Sequence, residues 1–580
     1  MSKISTIPAR QKTFILLLSI FCTAIGCWAS NQKKKPQPKK IETVYILNAD
    51  QTTANEYLQP GITVLRGNVR LRHKGMFLDC DSAYVNEQNN SFDAFSHVKM
   101  RQGDTLRIFG DYLRYDGMQE LAKLRYNCRL ENKGTTLLTD SLNYDRILDL
   151  AYYFEGGSMM DEVNVLTSEE GQHNLTTKDS EFKYNVKLVN PRYTISTDTL
   201  HYNTRNGIAR IAGPSKIDSD QNHIIADAGW YDSHKDHSEL TNRPLLYTDD
   251  GRKLRGDTVY YNREQGYSIA RSNVVITDSI HKNIITGDYS YYNERIDSAL
   301  VTGRALAIDY SQGDSIFLHG DTLKVRSFHL NTDSVYRETY AYYKVRIYKK
   351  DLQAVCDSLF FSTADSCIRL YKDPILWSNE QQQLGERIYI HLNDSTIDHI
   401  HIEEQALSIE KKDSIHYNQI TGRDMWYYFS DGKLHRAEVI GNVLLRYYPE
   451  DSDKQMIGLN ESTTAKLFIW LEENKIKRMK MEGASEGTLH PLQLIPHKIL
   501  YLENFGWFDY VRPTDPADVF NWRGKKSGSE LIYKDRKPIP LPNRGLQLHT
   551  STPASTNEAT STPAPESTET QPNPPAQPTL

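Results

Sequence analysis

The chain has 580 residues, 38% of them hydrophobic, and its mean hydropathy of −0.60 excludes a polytopic membrane protein. Residues 1–40 hold eight basic residues and no acidic one, which leaves a strongly acidic body and excludes nucleic acid as a favoured partner. The 36 tyrosines against 17 phenylalanines favour strands with one face in contact with water.

Residues 1–29 are predicted to be an export signal. A basic start precedes the apolar stretch Phe14–Ile25, which is too short to anchor the chain across a bilayer. In one interpretation the signal is cleaved after Ala29; in the other, Cys27 ends a loose lipobox and becomes a lipidated N-terminus. Both place the mature protein outside the cytoplasm. Residues 30–40 then form a basic leader, which is either a solvated spacer or a contact to anionic lipid head groups.

One repeat organises most of the chain. An Asp is followed four positions later by an aromatic or aliphatic residue, and the pair recurs about every 31 residues through twelve units. The clear pairs are Asp111/Tyr115, Asp140/Tyr144, Asp198/Tyr202, Asp227/Tyr231, Asp257/Tyr261, Asp288/Tyr292, Asp321/Val325, Asp357/Phe361 and Asp424/Tyr428, and the degenerate ones are Asp81/Val85, Ser180/Tyr184 and Glu386/Ile390. We attribute the uneven spacing around Ser180 to a longer loop at residues 168–173.

Apolar residues flank each Asp at two fixed positions. One lies three residues before the Asp and the other two residues after it, so on a straight strand they would face opposite sides. This fixed change of parity indicates a corner or β-bulge at the Asp. Each unit is therefore predicted to be two short strands and a corner. The units are expected to stack and share one core, with one rung of about 4.8 Å per unit.

The two ends of the chain depart from the repeat. Residues 41–450 are assigned to the repeats. Residues 451–545 are predicted to form a C-terminal β-rich capping segment, which includes a hairpin at 465–481 and an aromatic cluster at 505–522. Residues 546–580 are rich in Thr, Ser and Pro and are predicted to be disordered.

Few residues qualify for catalysis. The recurring Asp is interpreted as a structural acceptor of backbone N–H bonds at the corner, because a catalytic group is needed only once. His399, His401 and Glu403 would share one face of a strand, which fits either a metal site or the wet face of a strand. Cys356 and Cys367 form either one disulfide or two buried thiols. The sequence contains no phosphate loop and no nucleophile elbow, so neither an enzyme nor a cofactor is predicted.

Three segments of the chain carry a resemblance to a known family. They are Leu65–Leu71 (LRGNVRL), Phe109–Tyr115 (FGDYLRY) and Val439–Leu445 (VIGNVLL). With the export signal, they resemble the OstA-like family of organic-solvent-tolerance and lipopolysaccharide-transport periplasmic proteins. Phe505–Pro513 is similar to the distal segment of long OstA-like proteins of Bacteroidetes-type bacteria. The resemblance implies an all-β, elongated, twisted β-jellyroll or solenoid of about twelve repeats that is open along one edge.

The resemblance also implies a function. The apolar interior would shelter the acyl chains of lipopolysaccharide on the way to the outer membrane. Inner-membrane and outer-membrane transport components would be partners, together with head-to-tail copies of the chain. The implied location is the periplasm, with outer-membrane association if Cys27 is lipidated. The groove lining carried over by position is the apolar residue before each Asp, namely Ile108, Leu137, Ile195, Ile224, Leu254, Ile285 and Leu318. The alternative is a non-enzymatic structural or adhesive β-solenoid with a filled core.

Overall fold

The computed structural model describes residues 42–54, 60–219, 222–311, 313–393, 396–473 and 475–532. The predictions for the export signal, the basic leader and the disordered tail lie outside these residues. Every described element lies in one compact unit that ends at Leu531. The second unit begins at Ile532, which is its one described residue.

The described chain is all-β, with 38 strands in one antiparallel sheet. The strands are β1 Tyr45–Asn48, β2 Gln51–Ala54, β3 Ile62–His73, β4 Met76–Asn86, β5 Ser91–Gln102, β6 Leu106–Asp116, β7 Leu121–Asn132, β8 Thr135–Asp145, β9 Leu150–Tyr153, β10 Gly157–Met160, β11 Val165–Ser168, β12 Glu170–Asn174, β13 Asp179–Asn190, β14 Tyr193–Asn203, β15 Ile208–Asp218, β16 Asn222–Asp232, β17 His237–Thr241, β18 Leu245–Thr248, β19 Arg252–Arg255, β20 Thr258–Asn262, β21 Tyr267–Asp278, β22 Asn283–Asn293, β23 Ser298–Thr302, β24 Leu306–Asp309, β25 Ile316–His319, β26 Thr322–Phe328, β27 Tyr336–Lys349, β28 Leu352–Ser362, β29 Cys367–Tyr371, β30 Ile375–Ser378, β31 Gln381–Leu384, β32 Arg387–Asn393, β33 Thr396–Lys411, β34 Tyr417–Ser430, β35 Lys433–Tyr447, β36 Gly458–Glu472, β37 Lys475–Glu482 and β38 Glu486–Pro491. Short 3-10 turns lie at Leu492–Leu494, His497–Ile499, Asp509–Val511 and Asp518–Phe520.

The predicted corner at the Asp is confirmed. In β6 the buried residues are Leu106, Ile108 and Gly110 before the corner and Leu113 and Tyr115 after it, so the parity changes at the exposed Asp between them. The strand pairing shifts register at the same place. We call the residue at each corner, such as Asp111, the anchor. The segments before the anchor, such as residues 106–110, form what we call half-sheet 1, and those after it, such as residues 112–116, form half-sheet 2.

The expectation of one rung per unit is wrong. Each unit contributes two long antiparallel strands, as β5 and β6 do, and both strands bend at the corner. In several units the corner instead splits a strand in two, as between β17 and β18. Each repeat therefore advances the sheet by two strand spacings, about 9.6 Å. Hairpin turns close both half-sheets at the edge opposite the corner and form two rows of turns there.

Two anchors predicted from the sequence are wrong in position. The corner of the unit assigned to Ser180 is at Glu169, whose carboxylate accepts a hydrogen bond from Asn185. Residues 168–173 are therefore the end of β11, this corner and most of β12, and not a long loop. The unit assigned to Asp424 turns at Arg423 instead, which places Tyr427 inside and Tyr428 outside. The anchors of the structure are Asp50, Asp81, Asp111, Asp140, Glu169, Asp198, Asp227, Asp257, Asp288, Asp321, Asp357, Glu386, Arg423 and Ala465.

The anchors are structural, and their partners are two consecutive left-handed residues on the neighbouring strand. Tyr126 and Asn127 have φ values of 67° and 50°. The Asn127 amide donates to Asp111 at 2.6 Å and its backbone N–H donates to Asp140 at 3.0 Å, so side-chain donors share the role predicted for backbone N–H groups. Asn273 donates to Asp257 in the same way at 2.7 Å. These bonds offset the strain of left-handed residues, of order 1 kcal/mol each.

Residues 451–545 are expected to form a β-rich cap, and their described part, residues 451–473 and 475–532, divides into two parts. Strands β36, β37 and β38 extend the stack, and the predicted hairpin is confirmed by the β36–β37 pairing. Residues 497–531, which we call the strap, run back along the outer face of half-sheet 1. The strap carbonyl of Ile499 accepts from Arg446, and further along the strap Asp518 pairs with the fully buried Arg346 at 3.2 Å.

An apolar cluster holds the strap in place. It consists of Val355, Ile375, Trp377, Leu384, Leu407, Ile409 and Tyr417 from the sheet, and Leu502, Phe505, Trp507, Phe508 and Val511 from the strap. The Gln382 amide donates to the strap carbonyl of Gly506 at 2.7 Å, and its carbonyl accepts from the Phe508 N–H at 2.8 Å. The sheet is therefore buried on both faces beneath the strap. Of the two alternatives for Cys356 and Cys367, the structure has the buried free thiols.

Candidate functional site

One continuous column of apolar side chains lines the inner face of half-sheet 1. Each member pairs across strands with the next, and the column ends where Leu376 meets Gln383. Its members are Leu71, Leu78, Met100, Ile108, Leu130, Leu137, Met159, Leu166, Leu188, Ile195, Ile217, Ile224, Leu246, Leu254, Ile276, Ile285, Ala307, Leu318, Ile347, Ala354 and Leu376. All seven residues predicted as groove lining belong to this inner column.

Exposure divides the inner column into three stretches. The eleven members from Leu71 to Ile217 are at most 4% exposed, whereas the eight members from Ile224 to Ile347 are all half-buried. The last two members are buried again at 1% exposure. We call residues 62–218 the sealed section and residues 222–349 the open section. Water therefore reaches the inner column only in the middle of the chain.

A second wall faces the inner column from half-sheet 2. It is formed by the residue four positions after the anchor, and the tyrosines at this position from Tyr115 to Tyr231, namely Tyr115, Tyr144, Tyr202 and Tyr231, are buried. Further along the open section, Tyr261, Tyr292 and Val325 occupy the same position and are half-buried. Burial raises the pKa of Tyr115, Tyr261 and Tyr292 to about 12, so all three hydroxyls are neutral donors at physiological pH.

Polar contacts between the two rows of turns close the sealed section. The Arg146 guanidinium, with its side chain only 4% exposed, comes from the half-sheet 2 row. It donates to the Lys74 carbonyl at 3.1 Å and to Gln102 at 2.9 Å, both in half-sheet 1, and to the Tyr115 hydroxyl at 2.9 Å. Lys74 also reaches across to Glu120 at 2.6 Å. Burial opposes ionisation of Glu120, but Lys74 and Arg146 hold the pKa of Glu120 below its usual value.

Similar contacts recur along the sealed section and define what we call the seam. Lys178 donates across to Asn132 at 2.9 Å, and Asn164 donates across to the Tyr202 hydroxyl at 2.8 Å. The last crossings both reach Arg192: the Arg192–Asp236 ion pair at 2.7 Å, and a long hydrogen bond of 3.5 Å from Arg263 to the Arg192 carbonyl. Each of these hydrogen-bonded contacts covers the apolar interior, so water does not reach the inner column behind it.

Beyond Arg263, the described residues of the open section form no such seam. Tyr292 donates at 3.1 Å to Asp297 and Tyr261 donates at 3.4 Å to Glu294, but donors and acceptors here lie in the same row. Within the part of residues 264–349 that the structure describes, no hydrogen bond or ion pair joins the two rows of turns. The result is a groove with aliphatic side chains on one wall and tyrosines on the other.

The seven predicted lining residues fall on both sides of the boundary. Three of them lie in the sealed section, where 0–2% of each is exposed: these are Ile108, Leu137 and Ile195. Four lie in the open section and are half-buried: these are Ile224, Leu254, Ile285 and Leu318. The sequence analysis missed Leu246 and Ile276, which alternate with these four on the neighbouring strands. Both residues lie on a strand between two strands that contain or lead into an anchor. The sequence shows them once two strands are counted for each repeat.

The His and Glu side chains that share one face of β33 pack against neighbouring side chains. His399, His401 and Glu403 share the outer face of half-sheet 2. The His401 ring stacks on Trp426 with centroids 3.8 Å apart, and Glu403 accepts hydrogen bonds from Arg387 and Tyr389. Burial lowers the pKa of His401. Across the residues that the structure describes, no group of three or more His, Cys, Asp or Glu side chains is arranged to hold a metal ion.

No helix in the described part of the chain has the length and apolar character needed to cross a membrane.

Comparisons with known proteins cover part of the chain. The family model described as "OstA-like protein" matches residues 41–198, which confirms the resemblance inferred from the sequence over those residues. A solved structure is similar at 13% sequence identity, covering 20% of this chain and 76% of that chain with a TM-score of 0.17. It is described as LptH, the LptA homologous periplasmic component of the conserved lipopolysaccharide transport device from Pseudomonas aeruginosa. No curated protein matches.

Proposed function

From the OstA-like match and the half-buried groove, we propose that this protein binds lipopolysaccharide and carries its acyl chains through the periplasm toward the outer membrane. The observation that carries the proposal is the run of eight half-buried aliphatic residues from Ile224 to Ile347. The acyl chains of lipopolysaccharide need such a surface in an aqueous compartment, because each buried methylene contributes about 0.8 kcal/mol. A tail lying along the open section would contact one column residue on every strand that it crosses.

The four half-buried residues among the predicted lining are the proposed contacts. Ile224, Leu254, Ile285 and Leu318 lie on one face, in cross-strand succession with their neighbours. Ile108, Leu137 and Ile195 continue the same column but are closed off by the seam. They become lining only when the two rows of turns separate, so the proposed binding begins in the open section.

The proposed partners follow from the two ends of the sheet. Strands β1 and β2 are exposed along their whole length and, among the described strands, pair only with β3, while β37 and β38 pair only with β36. Free strand edges can add a strand from another β-protein. Inner- and outer-membrane transport components and further copies of the chain are the proposed neighbours. Export by the N-terminal signal belongs to the same proposal, with either cleavage after Ala29 or lipidation at Cys27, as does the absence of enzymatic activity.

Photo-crosslinking tests the proposal with a matched pair of positions. A photoreactive residue is placed at Leu254 in the open section or at Leu137 in the sealed section, in cells that make lipopolysaccharide. We expect adducts with lipopolysaccharide from position 254 and at least about tenfold fewer from position 137, because only the first has accessible surface. Adducts from neither position would contradict lipid binding and favour the alternative of a structural or adhesive β-solenoid.

Depletion of the protein supplies an independent measurement. If the protein carries lipopolysaccharide, its depletion causes lipopolysaccharide to accumulate at the inner membrane. Normal surface levels after depletion would contradict a transport role even if crosslinks form at position 254.

A further inference from the structure

A basic concavity lies where the sealed section ends and the open section begins. It has a volume of about 610 Å³ and is lined by Arg192, His234, Lys235, Asp236, Arg263 and Glu264. The lining comes from three turns in two rows: Arg192 from the β13–β14 turn, residues 234–236 from the β16–β17 turn, and residues 263–264 from the β20–β21 turn. It therefore sits at the last crossing of the seam.

The charges in this concavity are unevenly matched. Asp236 is only 7% exposed, and its two carboxylate oxygens are taken up by the Tyr231 hydroxyl and by Arg192 at 2.7 Å. The Lys235 ammonium is exposed and makes no hydrogen bond or ion pair within the described chain. Arg263 makes one long contact, 3.5 Å to the Arg192 carbonyl. Lys235 and Arg263 thus face the concavity with Glu264 as the one uncommitted carboxylate.

The backbone holds the turns that carry these cations side by side. The Arg263 N–H donates to the Asp236 carbonyl at 3.0 Å, and the Asp236 N–H donates to the Asp232 carbonyl at 2.9 Å. Both turns are therefore linked to each other. Because the turns are already linked, less entropy is lost when both side chains bind one anion.

The concavity is connected through one strand to the start of the groove. Strand β16 carries Ile224, the first half-buried member of the inner column, and runs directly into the turn that holds Lys235. An amphiphile with an anionic head and several acyl chains would thus meet basic side chains and accessible aliphatic side chains on the same structural element.

We propose that Lys235 and Arg263, with Arg192 at the rim, bind a phosphate group on the head of an acylated glycolipid and thereby position its tails at the beginning of the open section. The proposal rests on the proposed function, since the tails need the groove. Phosphate is the anion that this set favours, because Arg and Lys together offer charge-assisted hydrogen bonds to several of its oxygens. Free inorganic phosphate has the same chemistry, so the test must separate the two sources.

The test is equilibrium binding to the full-length purified protein. The probes are an acylated glucosamine disaccharide with two phosphates, the same acylated disaccharide without phosphate, and inorganic phosphate as a competitor. The variant is Lys235→Glu/Arg263→Glu. The matched control is Arg114→Glu/Lys123→Glu, which reverses two exposed charges on paired strands of the sealed section. Thermal unfolding of both variants verifies that they are folded.

We expect the site variant to bind the phosphorylated probe at least about tenfold more weakly than wild type, since charge-assisted hydrogen bonds are lost and repulsion is added. Its affinity for the dephosphorylated probe should change less than about twofold, as should both affinities of the control variant. Equal binding of the two lipid probes by wild type would overturn the head-group site while leaving the groove intact. Full displacement of the phosphorylated probe by millimolar inorganic phosphate would assign the site to free phosphate and overturn the proposal.

Failure of the proposed function gives a different result. In that case wild type binds neither acylated probe, whereas failure of the head-group site alone leaves binding of the dephosphorylated probe unchanged.

Discussion

Strands β3–β15 and strands β16–β27 follow the same repeat but differ at the edge opposite the corner. In the sealed section, side chains such as Arg146 and Asn164 reach from one row of turns to the other, and the inner column behind them is dry. In the open section, the tyrosines bond within their own row and the column is half-buried. Access to the interior is therefore set by a few polar residues in the turns, while the apolar column itself is shared.

The largest expected effect comes from truncating the same residue type in the two sections. We expect Ile108→Ala to lower the free energy of unfolding by about 2–5 kcal/mol, because it leaves a cavity among fully buried neighbours. Ile285→Ala should cost only about 1 kcal/mol, since its site is already partly hydrated. Urea denaturation of the two variants measures the difference. Equal costs would show that the two sections are packed alike.

Acid should weaken the sealed section through His173. Burial lowers the pKa of His173 to about 4, against 6.5 for an ordinary imidazole. The unfolded chain therefore takes up the proton first. Stability is fully present above pH 6.5 and falls by up to about 3 kcal/mol as the pH drops to about 4.

Hydrogen exchange of the sealed section at pH 7 and pH 5 measures this effect. In His173→Gln, which keeps a polar group at the position, we expect the loss of protection at pH 5 to shrink. An unchanged pH dependence in the variant would show that another group is responsible.

Breaking the seam should convert sealed structure into open structure. We expect Arg146→Gln to cost about 2 kcal/mol, since Glu120 and the Tyr115 hydroxyl each lose one of their partners and the contacts to the other row are weakened. The same variant should raise crosslinking of a photoreactive residue at position 108. The matched control is Arg295→Gln in the open section, where the arginine bonds only the Glu264 carbonyl and the cost should stay below about 0.5 kcal/mol. No gain in crosslinking would mean that the seam does not control access.

The smallest effect should be the same in both sections, because the corners are alike. Asn127→Ala and Asn273→Ala each remove one amide donor to an anchor Asp, and each is expected to cost about 1 kcal/mol. Thermal unfolding of the pair measures the two costs. A clear inequality would place part of the difference between the sections at the corner instead of at the open edge.

The repeat and the inner column could be predicted because both depend on local pattern. Residues such as Ile108 and Ile285 stand at a fixed distance from an Asp, and the change of parity across that Asp locates the corner. The pattern failed at two units in which the corner residue is not Asp: the corner is at Glu169 and not at Ser180, and at Arg423 and not at Asp424. His173 stands four residues after Glu169 and thereby fills the tyrosine position of its unit.

The division into sealed and open sections could not be predicted in this way. Ile195 and Ile224 occupy equivalent positions in successive units and look the same in sequence, yet one is buried and the other is half-exposed. The difference depends on contacts between residues far apart in the chain, such as Arg146 and Lys74, which are 72 positions apart. The strap could not be predicted for the same reason, because it contacts strands that lie more than 100 positions earlier in the chain.

The one-residue-per-strand spacing of the inner column has a consequence for any elongated guest. Neighbouring members are about 4.8 Å apart and chemically alike, so a guest displaced by one strand exchanges each contact for an equivalent one. The free energy of the guest then changes little as it moves along the column. Leaving the groove, in contrast, exposes the whole guest to water at once. Such a surface favours gliding in one dimension and gives it no preferred direction, so any direction must be imposed at the ends.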